Sequence, residues 1–572
     1  MSKELLLGQS SPRPRSPGHN RPLVFAGCLL AILYFAWPYR SNAHKVGTIT
    51  WGLACDRPHQ ECGSIIVPKD YLDLAAGTAT IAISRIRATW PKQGTVFMNP
   101  GGPGGPGTWS PTLRAAALVG GQWDLVGFDP RGIHRTTPQV KCFPNSDHGL
   151  FQANTVLERG LTVPSIRNLS DPAVEAALEV QIRELTALRK AEAEMCTRNV
   201  GEELKYVGTT TVVRDIAFMA DVLEGKGSKI NLYAGSYGSI IGTYLVNMLP
   251  ERAGRVVIDG IVDPVRWSNE PMYKWPLWLL ASTEKTYRFF LETCAEAGPT
   301  RCPISYELGE DHKVLEARFE SFFDKLALEP LPVTSSQAFR PGLLTSGAAR
   351  GLLLGLLGQP PQWQFAAQAF AEAFSGNGTL LYNQLVAPDA TSESPFHDLV
   401  NSAVICADVP STTAADIPSS AELAEEHMRV LREVSPHFGA VYQDAGCEYW
   451  PTSGRGPERF AGPWNATLET PMLIVSNTMD PISPGQAGLR INQEMGNSTR
   501  LIIQDGPGHC ASSLPTPCTR QLITEYFAGT VPANGTTCVA SLDYFPSQNG
   551  SVPVELDDAQ MWGLIPGRRR RT

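Results

Sequence analysis

Three polar residues of this sequence each follow a short apolar run, in the order serine, aspartate, histidine. They are Ser236, Asp480 and His509. A serine hydroxyl becomes a strong nucleophile when a histidine takes its proton and a carboxylate orients that histidine. The three residue types therefore predict covalent acyl-transfer chemistry. In this interpretation Ser236 attacks, His509 acts as base and then as acid, and Asp480 orients His509.

The stretch Asn231–Leu245 is typical of a strand, a sharp turn and a helix, with a serine at the turn. Strand and helix nearly touch at such a turn, so the residues two before and two after the serine must be small. Around Ser236 these positions hold Ala234 and Gly238. Around the neighbouring Ser239 they would hold two large side chains. Ser236 is therefore the only serine of this stretch that fits the turn.

A loop rich in glycine and proline, Asn99–Gly107, follows another apolar run. Acyl transfer needs N–H donors aimed at the oxyanion that develops on the substrate. We assign this role to the main-chain N–H of Tyr237 and to the uncovered backbone at Gly101 and Gly102. A flexible turn is the alternative, but three prolines stiffen this loop. A phosphate-binding loop would need a Lys-Ser/Thr pair, which is absent here.

Apolar runs alternate with helical patterns on both sides of Ser236. Strands are predicted at Gly63–Val67, Thr78–Ser84, Thr95–Met98, Trp123–Phe128, Arg255–Val262, Pro471–Val475 and Arg500–Ile503. The first two suit antiparallel pairing, and the alternation of the others indicates a mostly parallel sheet with helices on both faces, an α/β fold. The carboxyl ends of parallel strands share one edge, where residues distant in sequence converge. Between Asp263 and about Trp464 helical patterns dominate, which predicts an insertion.

The composition is that of a large globular protein. The chain has 572 residues, 42% hydrophobic and 18% charged, with a net charge of −8. This length allows a core together with an inserted or second domain. The modest, dispersed charge argues against a nucleic-acid partner, and we interpret the basic run Arg568–Arg571 as a solvated tail.

The N-terminus predicts entry into the secretory pathway. Basic residues precede the apolar run Leu23–Trp37, and small residues up to Ala43 suit a signal peptidase. The run is short for a membrane span and Pro38 ends it, yet the basic segment before it is long for a cleaved signal. We expect an uncleaved anchor through residues 23–37, with the catalytic part outside the cytosol. Secretion after cleavage at Ala43 is the alternative.

The cysteines suit an oxidising compartment. Twelve are present, and Cys28 lies in the apolar run, so the other eleven form at most five disulfides. Cys55/Cys62 and Cys294/Cys302 are close in sequence and are candidate disulfides. The sequence contains no Cys-x-x-Cys pair, which favours disulfides over a metal site. Six sequons predict N-glycans on the exterior, at Asn168, Asn377, Asn465, Asn497, Asn534 and Asn549.

Five motifs taken together resemble a known family. They are Asn99-Pro-Gly-Gly-Pro-Gly, Asp129-Pro-Arg-Gly, Ser236-Tyr-Gly, Asp480-Pro and Gly508-His-Cys. Between Trp51 and Cys538 the sequence resembles the secreted tripeptidyl aminopeptidases and their proline iminopeptidase-like relatives, α/β hydrolases with a TAP-like C-terminal region. The resemblance implies an eight-stranded α/β-hydrolase core, a helical cap and no cofactor. It also implies the release of short peptides or single residues from free N-termini.

These observations predict five segments along the chain. They are a basic segment with a signal or anchor helix at 1–44, a first core part at 45–263, a helical cap at 264–464, a second core part with the TAP-like region at 465–547, and a polar tail at 548–572.

A peptidase of this kind must also bind the ammonium group of its substrate, for which a carboxylate in a partly desolvated pocket is suited. We name Asp408 as the candidate because the stretch Ala403–Asp408 resembles a recurrent stretch of the family, with a capping or turn role as the alternative. The predicted function is therefore an exopeptidase that acts on peptides with a free N-terminus. An esterase or amidase for a small metabolite is the nearest rival, because the same triad serves ester chemistry. A catalytically inactive binding protein would need a broken triad, and all three members are present.

Overall fold

The structure, a computed structural model, describes residues 45–547 apart from 90, 145–146, 387–398, 443 and 452. The predicted leader at 1–44, with its apolar run at 23–37, lies outside the described residues. The tail at 548–572 and the sequon at Asn549 lie outside them as well.

One sheet of ten strands organises the described part of the chain, in the order β1-β2-β3-β5-β4-β6-β7-β10-β11-β12. The strands, with the hairpin β8–β9, are β1 (Ile49–Leu53), β2 (Glu61–Pro68), β3 (Thr78–Ile86), β4 (Gly94–Asn99), β5 (Trp123–Phe128), β6 (Ile230–Gly235), β7 (Ala253–Asp259), β8 (Leu331–Val333), β9 (Gly342–Leu344), β10 (Met472–Met479), β11 (Thr499–Pro507) and β12 (Thr536–Val539).

The sheet is mostly parallel. The pairs β1/β2, β2/β3 and β3/β5 are antiparallel, and every pair from β5/β4 onward is parallel. In the order of the sheet, β2 to β11 are eight strands, the number that the family resemblance implies. Two short edge strands, β1 and β12, extend the sheet beyond this number. A disulfide lies beside each of them, since Cys55–Cys62 joins the β1 turn to β2 and Cys518–Cys538 ties β12 to a helix.

Helices cover the sheet and fill the insertion. The α-helices are α1 (Leu113–Val119), α2 (Asp147–Gln152), α3 (Val156–Arg159), α4 (Pro172–Asn199), α5 (Thr209–Glu224), α6 (Tyr237–Met248), α7 (Pro264–Asn269), α8 (Pro276–Leu279), α9 (Thr283–Ala297), α10 (His312–Leu328), α11 (Ser346–Leu357), α12 (Trp363–Phe374), α13 (Thr379–Leu385), α14 (Val400–Asp408), α15 (Ser420–Glu433), α16 (Gly485–Met495) and α17 (Pro517–Phe527). Short 3₁₀ helices are Leu74–Ala76, Gly107–Trp109, Ile166–Asn168, Gly201–Tyr206, Pro250–Arg252, Met272–Lys274, Pro360–Gln362, Cys447–Tyr449, Gly496–Ser498 and Ala511–Ser513.

Both faces of the sheet are buried, because successive side chains of a strand point to opposite faces. On β4, Val96 and Met98 belong to the apolar cluster that includes residues of α1 and α17. Phe97 between them belongs to the cluster that includes residues of α5 and α6. This two-sided cover explains why the central strands are continuous apolar runs in the sequence.

Helices α9 to α13 of the segment between β7 and β10 share an apolar cluster separate from those of the sheet. The described helices of this segment run from α7 to α15, and aromatic residues of α9, α10 and α12, such as Phe290, Phe319 and Phe370, are fully buried in the cluster. Side-chain caps fix some of these helix starts, since Ser419 and Glu422 form a reciprocal capping box on α15. We call residues 264–464 the inserted segment. Its limits as a separate cap stay a prediction.

The described cysteines form five disulfides and leave one thiol. The bonds join Cys55–Cys62, Cys142–Cys196, Cys294–Cys302, Cys406–Cys447 and Cys518–Cys538, and the buried Cys510 is free. The two pairs predicted from their spacing are therefore disulfides here. Disulfides of this number suit an oxidising compartment.

Two kinds of feature are absent from the described residues. None of the helices within residues 45–547 is both long and apolar enough to cross a bilayer. The same part of the chain holds no group of three or more His, Cys, Asp or Glu side chains placed to bind a metal ion.

Candidate active site

Ser236 lies at the turn between β6 and α6, at the carboxyl edge of the sheet. Its backbone is strained, with φ 56° and ψ −125°. A Cβ atom at Gly238 would lie 2.9 Å from Ala234 Cβ and 3.0 Å from Asn99 O, so only glycine fits there. The methyl group of Ala234 fits opposite that glycine. The small residues that selected Ser236 in the sequence therefore lie where strand and helix approach each other.

The structure brings the three predicted catalytic side chains together. His509 Nε2 lies 2.9 Å from Ser236 Oγ, and His509 Nδ1 lies 3.1 Å from each carboxylate oxygen of Asp480. All three residues are buried. Asp480 directly follows β10 and His509 follows β11, which are neighbouring parallel strands. The geometry is that of a nucleophile, a base and an orienting acid joined by hydrogen bonds.

Asp480 is held as a carboxylate by several donors. Its Oδ1 accepts the N–H groups of Ile482 and Ser483 at 2.9 and 2.8 Å, and its Oδ2 accepts the N–H of Cys510 at 2.8 Å. Burial alone would raise its pKa. The neighbouring His509 and these N–H donors outweigh burial and hold the pKa of Asp480 below its ordinary value.

Ser483 is a residue of this site that the sequence reasoning did not select. Its hydroxyl donates to Asp480 Oδ2 at 2.8 Å and lies 3.0 Å from His509 Nδ1. Ser483 is 1% exposed. A hydroxyl that donates to the carboxylate can also accept the Nδ1–H of the histidine. Ser483 can therefore hold Asp480 and His509 in place together. The available signal was a serine three residues after the acid, within reach of a local turn bond.

Asp259, at the end of β7, is a second residue that was missed. Its carboxylate accepts the N–H groups of Ala511 and Ser512 at 2.7 and 3.0 Å, and its main-chain oxygen accepts the N–H of Ser236 at 2.9 Å. It therefore joins the serine turn to the chain that follows His509. Burial raises the pKa of Asp259 to about 6, against the opposing effect of these donors. The sequence signal was an aspartate at the carboxyl end of an apolar strand.

In the glycine-rich loop, the main-chain N–H groups of Gly101 and Gly102 differ in their hydrogen bonding. The N–H of Gly101 donates to Asn99 Oδ1 at 3.0 Å, so it already has an acceptor. A Cβ atom on Gly101 would lie 2.5 Å from Gly235 O and 2.8 Å from Ser236 Cβ. Gly101 thus allows the loop to approach the nucleophile. Within the described residues, no acceptor is found for the N–H groups of Gly102 and Tyr237.

Asp408 is connected to the serine turn through Thr209. Its Oδ1 accepts the N–H of Thr209 at 2.8 Å, and its Oδ2 accepts the Thr209 hydroxyl and the indole N–H of Trp267, the latter at 2.9 Å. The Thr209 hydroxyl also lies 2.8 Å from the hydroxyl of Tyr237. Burial raises the pKa of Asp408 to about 6. The carboxylate is therefore engaged by three donors, and its role in binding a substrate amine stays a prediction.

Two family models match this chain. One, described as alpha/beta hydrolase fold, matches residues 94–308, and the other, described as TAP-like protein, matches residues 435–538. The chain has the α/β-hydrolase fold, and its C-terminal region is similar to TAP-like proteins. The first match contains Ser236 and the second contains Asp480 and His509.

Curated relatives of this chain carry several enzyme names. Serine protease Hip1 of Mycobacterium tuberculosis is 27% identical over 497 residues, which is 83% of this chain and 87% of that protein. Carboxylesterase B of the same species is 26% identical over 494 residues, 83% and 86% of the two chains. Tripeptidyl aminopeptidase of Streptomyces lividans is 23% identical over 489 residues, 84% and 83%. All three names describe hydrolases, while their substrate classes differ.

Proposed function

We propose that this chain is a serine exopeptidase that releases short peptides or single residues from free N-termini. The observation that carries the proposal is the hydrogen-bonded series Ser236, His509 and Asp480, with 2.9 Å from base to nucleophile and 3.1 Å from base to acid. The relatives named serine protease and tripeptidyl aminopeptidase support a peptide substrate. An inactive binding protein on this fold is disfavoured, because no member of the series is missing or displaced.

The reaction follows from this geometry in two half-reactions. His509 Nε2 takes the proton of Ser236 Oγ while Oγ bonds to the substrate carbonyl carbon. The peptide C–N bond then breaks, and His509 gives its proton to the leaving amine, which leaves an acyl ester on Ser236. In the second half-reaction His509 takes a proton from water while the water oxygen bonds to the acyl carbon. The bond between the acyl carbon and Ser236 Oγ then breaks, His509 returns the proton to Oγ, and the carboxylic acid product leaves. Asp480 keeps Nδ1 protonated and stabilises the imidazolium in both halves.

We assign the oxyanion hole to the main-chain N–H groups of Gly102 and Tyr237. Both lack an acceptor among the described residues, whereas the Gly101 N–H is bonded to Asn99. Donors of this kind stabilise the transition state by about 3 kcal/mol each in known enzymes. The role of Gly101 is then to let the loop come close to the serine turn, since a Cβ atom at this position would lie 2.5 Å from Gly235 O.

We further propose that the inserted segment acts as a cap that favours short substrates. A bulky helical segment over the carboxyl edge of the sheet excludes a folded chain by steric overlap. In this proposal the enzyme works in the secretory pathway, either anchored by residues 23–37 or secreted after cleavage at Ala43. The five disulfides support that compartment. N-glycans at the exposed sequons would fit the same location.

An esterase or amidase for a small metabolite is the second candidate. Two observations favour it. The relative named carboxylesterase B covers as much of this chain as the named serine protease does, 83% in each case. In addition, Asp408 already has three donors and offers no obvious vacancy for a substrate ammonium group.

The test compares hydrolysis of three substrate classes by the wild type and by Ser236→Ala. The classes are tripeptidyl and single-residue arylamides with a free amine, their N-acetylated forms, and simple aryl esters. We expect cleavage of the free-amine arylamides, loss of that cleavage on acetylation, and no turnover by Ser236→Ala. If only esters are cleaved, or if acetylation makes no difference, the peptidase proposal is wrong and the esterase candidate replaces it.

A further inference from the structure

Helix α9 of the inserted segment touches the loop that carries Asp480. The hydroxyl of Thr283, the first residue of α9, donates to the main-chain oxygen of Pro481 at 2.8 Å. Thr283 is fully buried. One turn later, Thr286 Oγ1 lies 3.0 Å from the main-chain oxygen of Met479. The Thr286 hydroxyl lies equally close, at 3.0 Å, to the oxygen of Ser282 in its own chain segment, so the Thr283 bond is the one that ties α9 to the Asp480 loop.

The end of helix α11 touches the chain that carries His509 in a similar way. The main-chain N–H of His509 donates to the oxygen of Gly358, directly after α11, at 2.8 Å. A methyl group added at Gly358 would lie 3.2 Å from His509 Cβ and 3.4 Å from Ile482 Cδ1. The same short stretch thus packs against both catalytic loops.

These bonds matter because Asp480 and His509 lie just beyond the ends of β10 and β11. Outside the sheet ladder, the main-chain groups of such loops need partners from elsewhere when they are buried. Here the inserted segment supplies partners, namely the Thr283 hydroxyl and the Gly358 carbonyl. Small displacements of catalytic groups have large effects on rate, and about 1 Å can change it a hundredfold.

We propose that the inserted segment positions the catalytic acid and base, with Thr283 as a positioning residue that acts through Pro481 on Asp480. The proposal rests on the proposed roles of Ser236, His509 and Asp480. It gives the insertion a part in the chemistry that is separate from substrate selection. The segment would then be needed for turnover of every substrate, including those too small to contact it.

The experiment replaces Thr283 by valine, which keeps the shape and removes the hydroxyl, and by serine, which keeps the hydroxyl. Thr293 of the same helix provides the matched control, because its hydroxyl donates only within α9, to the oxygens of Phe289 and Phe290. The readouts are kcat and KM on whichever arylamide or ester the wild type cleaves, and the rate at which a fluorophosphonate labels Ser236. Labelling forms an Oγ–P bond with loss of fluoride and needs the activated serine, but no particular substrate.

We expect Thr283→Val to lower kcat and the labelling rate about tenfold with little change in KM, since a buried carbonyl loses its donor. Thr283→Ser and Thr293→Val should stay within about twofold of the wild type. Equal rates for Thr283→Val and Thr293→Val would overturn the proposal, as would a Thr283→Ser variant that is as slow as Thr283→Val.

A second variant covers the case in which Thr283→Val does not fold. Gly358 has a helical φ of −70°, which alanine adopts readily, so Gly358→Ala tests crowding of His509 and Ile482 without altering the Thr283 contact. We expect it to lower the labelling rate with KM unchanged, and a wild-type rate would contradict the proposal. Labelling of Ser236 without peptide cleavage would refute the exopeptidase function while leaving the positioning role intact. Absence of labelling in the wild type would refute both.

Discussion

At the scale of single residues, Ser483 and Asp259 form hydrogen bonds around the proposed triad but take no part in the proposed bond-making steps. Ser483 joins the acid to the base, through 2.8 Å to Asp480 and 3.0 Å to His509. Asp259 joins the turn at Ser236 to the residues after His509. Neither side chain bonds to Ser236 Oγ. Their effect on the rate therefore depends on how firmly they hold His509.

The first residue-scale prediction concerns the hydroxyl of Ser483. Ser483→Ala should lower kcat about tenfold and leave KM nearly unchanged, because a buried hydrogen bond to a carboxylate is lost. Ser483→Thr keeps the hydroxyl and should retain most of the activity. Steady-state kinetics on one substrate checks both variants. Full activity in Ser483→Ala would show that the two carboxylate bonds to His509 are sufficient.

The second residue-scale prediction concerns pH and Asp259. Its pKa in the folded state is about 6, above the ordinary value of 3.8, so the folded state binds this proton more tightly than the unfolded chain does. The contribution of Asp259 to the free energy of unfolding is therefore present at low pH and declines as pH rises through about 6. Urea unfolding of the wild type and Asp259→Asn checks this. We expect the free energy of unfolding of the wild type to fall relative to that of Asp259→Asn as pH rises from about 4 to about 7.

At the scale of elements, the loop after β4 has to approach the serine turn closely, and its glycines differ in what surrounds them. Gly101 and Gly104 both have φ in the left-handed region, at 96° and 117°. A Cβ atom on Gly101 would lie 2.5 Å from Gly235 O, whereas one on Gly104 would meet nothing nearer than 3.9 Å. An alanine would therefore have a strained backbone at either position, but it would clash with its neighbours only at position 101.

Gly101→Ala should therefore reduce kcat about a hundredfold, because the loop must retreat from Ser236 and take the Gly102 N–H with it. Gly104→Ala is the matched control for the strain of a left-handed alanine and should cost much less. Measuring kcat for both variants, with thermal unfolding to verify folding, decides the matter. Equal losses would mean that strain alone explains the effect.

At the scale of the whole molecule, the sequence predicted the features that repeat along the chain better than those that depend on side-chain contacts between distant segments. Apolar runs were sufficient to predict the eight central strands, but not the short strands β1, β8, β9 and β12. Small neighbours selected Ser236, and placement after a strand selected Asp480 and His509. The choice between Gly101 and Gly102 depends on the Asn99 side chain, which spacing does not place. Thr283 bonds to Pro481 across nearly two hundred residues. No local pattern marks such a contact.

Disulfides provide a whole-molecule prediction. Cys406–Cys447 joins α14, which carries Asp408, to the stretch Cys447–Tyr449 across 41 residues. Cys55–Cys62 spans only 7 residues at the sheet edge. Loop-closure entropy predicts losses of about 4 kcal/mol and about 2 kcal/mol in the free energy of unfolding when each pair is changed to alanine. Chemical denaturation of the two double variants checks the order of these losses.

The buried thiol of Cys510 has a consequence for how this chain matures. Burial raises its pKa well above the ordinary value, and its Sγ lies 3.3 Å from the main-chain oxygen of Asp259, so in the finished molecule it is an inert thiol. During synthesis the eleven cysteines from Cys55 onward compete for five bonds. A mispairing that captures Cys510 would hold His509 away from the sheet. In the folded chain the contact of Cys510 Sγ with the Asp259 oxygen at the end of β7 keeps this thiol buried and away from the five disulfides.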